Sequence, residues 1–156
     1  MNPMDVSAWS GNWAWGLPLI VLTVVMHVCG LGLISQRVSH ALSGAVERRG
    51  FLARFAVVMS VTALLATTLH GIEGGIWCAA YRFLGALPDN RSAMLYSLNA
   101  MTSYGHATLF LQAHWQLMGA LEALNGMLLF GLTTAFLFQM IQDVWPLGGR
   151  KRQREH

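Results

Sequence analysis

Asn99-Ala100-Met101-Thr102-Ser103-Tyr104-Gly105-His106 is a short polar stretch without a strong hydrophobic period, set between apolar segments long enough to cross a bilayer. Irregular backbone at membrane depth survives only where protein buries it or where it lines a water-filled space. A Thr-Ser-Tyr-Gly turn in that setting points to a pore.

The composition places the turn in a membrane. Of 156 residues, 54% are hydrophobic and 11% charged, and the mean hydropathy is +0.46, far from the balance of a soluble domain. A helix crosses the hydrocarbon core with roughly 20 residues, so the length accommodates three spans. Cys29 and Cys78, the only cysteines, both lie in apolar segments and read as small buried hydrophobes. They encode neither a disulfide framework nor a Cys-based zinc site. The formal net charge of +3 comes with no basic stripe interleaved with exposed aromatics, which excludes a nucleic-acid partner. No nucleophile and base pair, phosphate loop or soluble sensor domain is visible, so no enzyme is expected.

In chain order, residues 1–12 form an extracytoplasmic N-terminus without the basic region of a signal peptide. Residues 13–36 are a first span, with Trp9, Trp13 and Trp15 in the interfacial aromatic belt. Residues 37–50 are a polar cytoplasmic linker. A second apolar run covers 51–84, with Gly71, Gly74 and Gly75 offering a place to bend. Pro88-Asp89-Asn90 breaks it and supplies a helix cap, so that residues 90–101 form a helix too short to span. The third span covers 115–145, followed by a basic tail at 146–156. Arg37, Arg48, Arg49, Arg54, Arg150, Lys151, Arg152 and Arg154 then fall on one side, with only Arg82 and Arg91 elsewhere. Excess Lys and Arg marks the cytoplasmic side. The expected protein is an all-α, multi-pass inner-membrane protein with its N-terminus outside, its C-terminus in the cytoplasm, and a re-entrant helix and loop between spans two and three.

These residues resemble the pore module of the tetrameric potassium channel superfamily. Met101-Thr102-Ser103-Tyr104-Gly105-His106 is similar to the family's filter, Thr-Val-Gly-Tyr-Gly-Asp, with Tyr104 and Gly105 on its Tyr-Gly. Gly126-Met-Leu-Leu-Phe130-Gly131-Leu132-Thr-Thr134-Ala135 is similar to the inner helix of small two-helix bacterial channels, including the bending glycine. The resemblance covers residues 51–145 and leaves the first span as an addition. It implies an outer helix at 51–84, a pore helix at 90–101, a filter at 101–106 and an inner helix at 115–145. It further implies a homotetramer passing monovalent cations, potassium or sodium, along the backbone carbonyls of Thr102, Ser103 and Tyr104, with no other cofactor. Such carbonyls replace the hydration shell of the ion when several chains meet on one axis. Gly126 and Gly131 take the place of the gating hinge, and Thr133 and Thr134 line the cavity.

The chain departs from the family at three filter positions. Ser103 replaces a glycine where left-handed dihedrals cost a side-chain-bearing residue on the order of 1 kcal/mol or more. Met101 replaces a threonine whose hydroxyl lines the innermost site. His106, at the outer mouth, replaces an aspartate with a group that titrates near neutral pH. Reduced potassium selectivity and inhibition by acid are expected.

Ionisable groups within a span are functional candidates. His70 and Glu73 lie one turn apart on one helix face, and Glu122 and Asn125 stand at similar depth in the third span. All four are expected to brace the filter. His27 reads as core filling. Two readings compete with a channel: a non-conducting subunit that retains the pore fold, and a membrane haem or metal protein drawing on His27, His70, His106 and His114. Against the second, no histidines are spaced i, i+4 and there is no Glu-x-x-His carboxylate set.

Overall fold

Each apolar run folds as a helix longer than a bilayer requires. The computed structural model describes residues 3–43, 51–105 and 108–144. Within them are α1 (Pro3–Ser43), α2 (Phe51–Phe83), the short α3 (Asn90–Met101) and α4 (Gln116–Val144), with a single 3₁₀ turn at Ala113–Trp115. The stretches Trp9–Val38, Phe55–Phe83 and Ala113–Gln142 are long and apolar enough to cross a membrane. The chain is a multi-pass membrane protein with a short helix between its second and third spans. His106, residues 44–50 of the linker and the tail from Trp145 onward lie outside the described residues.

The helices overrun the apolar segments because hydropathy marks the lipid-facing length and not the end of the backbone ladder. At 1.5 Å per residue, the 41 residues of α1 extend about 60 Å. Pro18 lies inside it, removing one backbone donor without ending the helix. α2 likewise runs unbroken through Gly71, Gly74 and Gly75.

Helix ends follow local chemistry. The Gly85 N–H donates to Arg82 O and the Ala86 N–H to Tyr81 O, with Gly85 at φ +65°, a Schellman cap that closes α2. Arg82 then ties the connection together, donating to Leu87 O at 2.6 Å and to Asn90 Oδ1 at 2.9 Å. Asp89 opens α3 by accepting from the Ser92 N–H at 2.8 Å and the Ser92 hydroxyl at 2.7 Å.

α1 and α4 run parallel, with Asn12 beside Met118, Thr23 beside Asn125 and His27 beside Thr133. α2 runs antiparallel to both, pairing Glu73 with His27, His70 with Thr133 and Tyr81 with Glu122. The apolar core gathers at the α3 end of the bundle around Trp77, Tyr81, Tyr96, Met118 and Leu121. Elsewhere large apolar side chains such as Val21, Leu64, Met127 and Leu128 point outward, as a lipid-facing surface requires.

Candidate metal centre

α1 carries buried polar side chains at Asn12, Thr23 and His27. Spacings of eleven and four residues place them on one helical face. That seam is the joint with α4. Asn12 Nδ2 donates to His114 O at 2.6 Å, and Asn12 Oδ1 accepts from the Met118 N–H at 2.9 Å. Thr23 Oγ1 accepts from Asn125 Nδ2 at 2.8 Å. The first span is therefore built into the bundle.

At the lower end of the seam, three helices converge on one polar centre. His27 Nδ1 lies 2.8 Å from Glu73 Oε1, and His70 Nδ1 lies 3.2 Å from Glu73 Oε2. The opposite ring nitrogens meet on one hydroxyl, with Thr133 Oγ1 at 3.0 Å from His27 Nε2 and 3.1 Å from His70 Nε2. His27 and Glu73 have no exposed surface, and His70 is buried as well. The Phe130 ring stacks on His70 at 4.3 Å between centroids.

This donor set fits a metal ion. One ligand atom from each of His27, His70 and Glu73 can be chosen so that all lie within 4.8 Å of one another. His70 Nδ1 and Glu73 Oε2 face each other without the alignment of a hydrogen bond, and neither has another partner. Buried polar atoms left unpaired are costly, and an ion between them would use both. Metal-bound histidines ordinarily donate their second ring nitrogen to a fixed acceptor. Thr133 Oγ1, with two lone pairs, stands where it can accept from both rings.

The expectation of no cofactor is corrected by this cluster. His27, read as core filling, supplies one of its members. The signal was in the sequence as His70-x-x-Glu73, which places two ligand types on one face, together with the polar seam of α1. Neither spacing states that α1 packs beside α2 at this depth. A haem is a poor fit, because the His27 and His70 rings lie 5.0 Å apart and share one carboxylate and one hydroxyl, leaving no slot for a macrocycle. His114 lies on the 3₁₀ turn with its ring tilted against Trp115, away from the cluster.

The remaining expected site residues fall into separate places. Met101 is buried as the last residue of α3, whereas Thr102, Ser103, Tyr104 and Gly105 are exposed, Tyr104 at 85%. Ser103 at φ +54° occupies the left-handed position of a second Schellman cap, with the Ser103 N–H on Ala100 O and the Tyr104 N–H on Asn99 O. Gly126 packs against the Met101 backbone, where a Cβ would collide with Met101 O, while Gly131 faces open space. Thr134 is exposed and bonds back to Phe130 O. Of the four expected bracing residues, His70 and Glu73 belong to the buried cluster with His27 and Asn125 joins Thr23. Glu122 alone of them reaches α3, meeting Ser97 Oγ and accepting from the Tyr81 hydroxyl at 2.6 Å.

Fold and site together define a three-span membrane protein with a buried two-histidine, one-carboxylate cluster between its spans. The chain matches no described protein family, no curated protein and no solved structure.

Proposed function

We propose that this chain is a membrane metal-binding protein that holds a divalent transition ion between its spans through His27, His70 and Glu73. The observation that carries this reading is the convergence of these three buried groups, two of whose atoms lack any other partner. Two imidazoles and one carboxylate favour zinc, copper, nickel or ferrous iron over magnesium or calcium, which prefer oxygen ligands. Three protein ligands leave a four-coordinate ion one open position. Thr133 orients both rings, and Phe130 covers His70.

The test is titration of the untagged, purified chain in lipid nanodiscs with Zn²⁺, and with Co²⁺ for its visible spectrum. One ion per chain is expected, with binding abolished in His27→Ala and Glu73→Gln. Equal binding by a triple variant lacking all three groups would overturn the proposal.

A channel-like reading draws on a different observation, the exposed Thr102–Gly105 turn that follows a short helix between two spans. Polar backbone so exposed requires water or other protein around it at membrane depth. On this reading four copies surround an axis, with the N-terminus outside and the C-terminus in the cytoplasm. The turn then passes monovalent cations, or has lost conduction in a subunit that keeps the fold. Potassium and sodium flux into liposomes containing the purified chain separates these outcomes from metal binding alone.

A further inference from the structure

Glu122 is fully buried on α4 and belongs to neither the metal cluster nor the α1 seam. Its carboxyl joins three helices. The Tyr81 hydroxyl of α2 donates to Oε2 at 2.6 Å, and Oε1 meets Ser97 Oγ of α3. Ser97 Oγ also lies 2.8 Å from the Gly74 carbonyl of α2. These are three close oxygen contacts in a line, Tyr81 to Glu122 to Ser97 to Gly74.

Each contact needs one hydrogen. The Tyr81 hydroxyl supplies the first and the Ser97 hydroxyl supplies one more. A carbonyl has none to give, and an ionised carboxylate is an acceptor only. With Glu122 ionised, two hydrogens would serve three contacts, and one pair of oxygens would face each other bare at hydrogen-bond distance. Water cannot repair the deficit, because Ser97 and Glu122 have no exposed surface and neither does Tyr81.

We infer that Glu122 is held as a neutral carboxylic acid, its own proton donated to Ser97 Oγ so that Ser97 can donate to Gly74 O. The line then closes with one hydrogen per contact. The titratable groups facing Glu122 carry no positive charge: Tyr81 and Cys78 come from α2 and Tyr96 from α3. Among the described residues no ion pair involves Glu122. An unpaired anion in a span is costly, whereas a protonated acid with both oxygens bonded is not. Glu122 thus binds a proton within the membrane and positions α3, and with it the exposed turn at its C-terminal end, without introducing charge.

The inference is tested by infrared spectroscopy of the full-length chain in lipid at neutral pH, comparing wild type with Glu122→Gln and Glu122→Leu. Glutamine reproduces the neutral acid, its amide donating to Ser97 and its oxygen accepting from Tyr81. The expected result is loss of one protonated-carboxyl C=O band in Glu122→Gln, with its unfolding midpoint unchanged, and a lowered midpoint in Glu122→Leu. Loss of carboxylate bands instead, or no change in the C=O region, would overturn it. So would a Glu122→Gln protein that fails to fold or is as unstable as Glu122→Leu.

Discussion

Ser103 holds a backbone position that glycine usually takes. Its φ of +54° closes the cap of α3 at a cost that a Cβ imposes in the left-handed region. Ser103→Gly is expected to raise stability by about 1 kcal/mol, read as a higher thermal midpoint in lipid or detergent. A glycine deficit at this position was legible only through the resemblance of the stretch to a filter that carries glycine there. Its role as a helix cap was not, because the cap is defined by which carbonyls the following amides reach. Asp89, in the connection between α2 and α3, is held below the usual carboxylate range chiefly by the Ser92 backbone N–H and then by its hydroxyl. A carboxyl whose folded pKa is depressed adds stability above its unfolded pKa and loses it as pH falls through the folded value. The acid limb of a melting profile should therefore flatten in Asp89→Asn. At the metal cluster, Thr133→Val removes the common partner of both Nε2 atoms. It is expected to weaken zinc binding by roughly 10- to 100-fold, measured by competition with a chelating dye.

Helix ends and contacts explain the elements that hydropathy only located. α4 begins at Gln116, so the Met118 amide is one of its unpaired first-turn donors, and Asn12 satisfies it from α1. This is a cap supplied by another helix. Asn12→Ala is expected to cost about 0.5 to 2 kcal/mol, seen as a lower unfolding midpoint. The Asp89 cap, by contrast, could be read directly from Pro-Asp-Asn because its partner is three residues away. Gly126 illustrates the same limit from the packing side. Its sequence context resembles a bending glycine, yet the Met101 backbone sits where a Cβ would stand. Since backbone cannot move aside as a flexible side chain can, Gly126→Ala should destabilise the docking of α3 on α4 by about 1 to 3 kcal/mol. Protease sensitivity in the connection after α3 would report that loosening.

Across the whole molecule, the His27, His70 and Glu73 cluster joins α1, α2 and, through Thr133, α4, so an ion bound there should stabilise the assembled bundle. Zinc at a hundred times its dissociation constant is expected to add about 2.7 kcal/mol, and Glu73→Gln should abolish that gain in the melting midpoint. Sequence alone determined the three apolar spans, the short helix between two of them and the polar turn at its end, because each depends on residues close together in the chain. It also placed His70 and Glu73 on one face. Only the tertiary structure brought His27 to them, turned Thr133 toward both rings and joined Glu122 to Tyr81 and Ser97. Those contacts depend on the depth and rotation at which helices pack, which the spacing within any one helix leaves open.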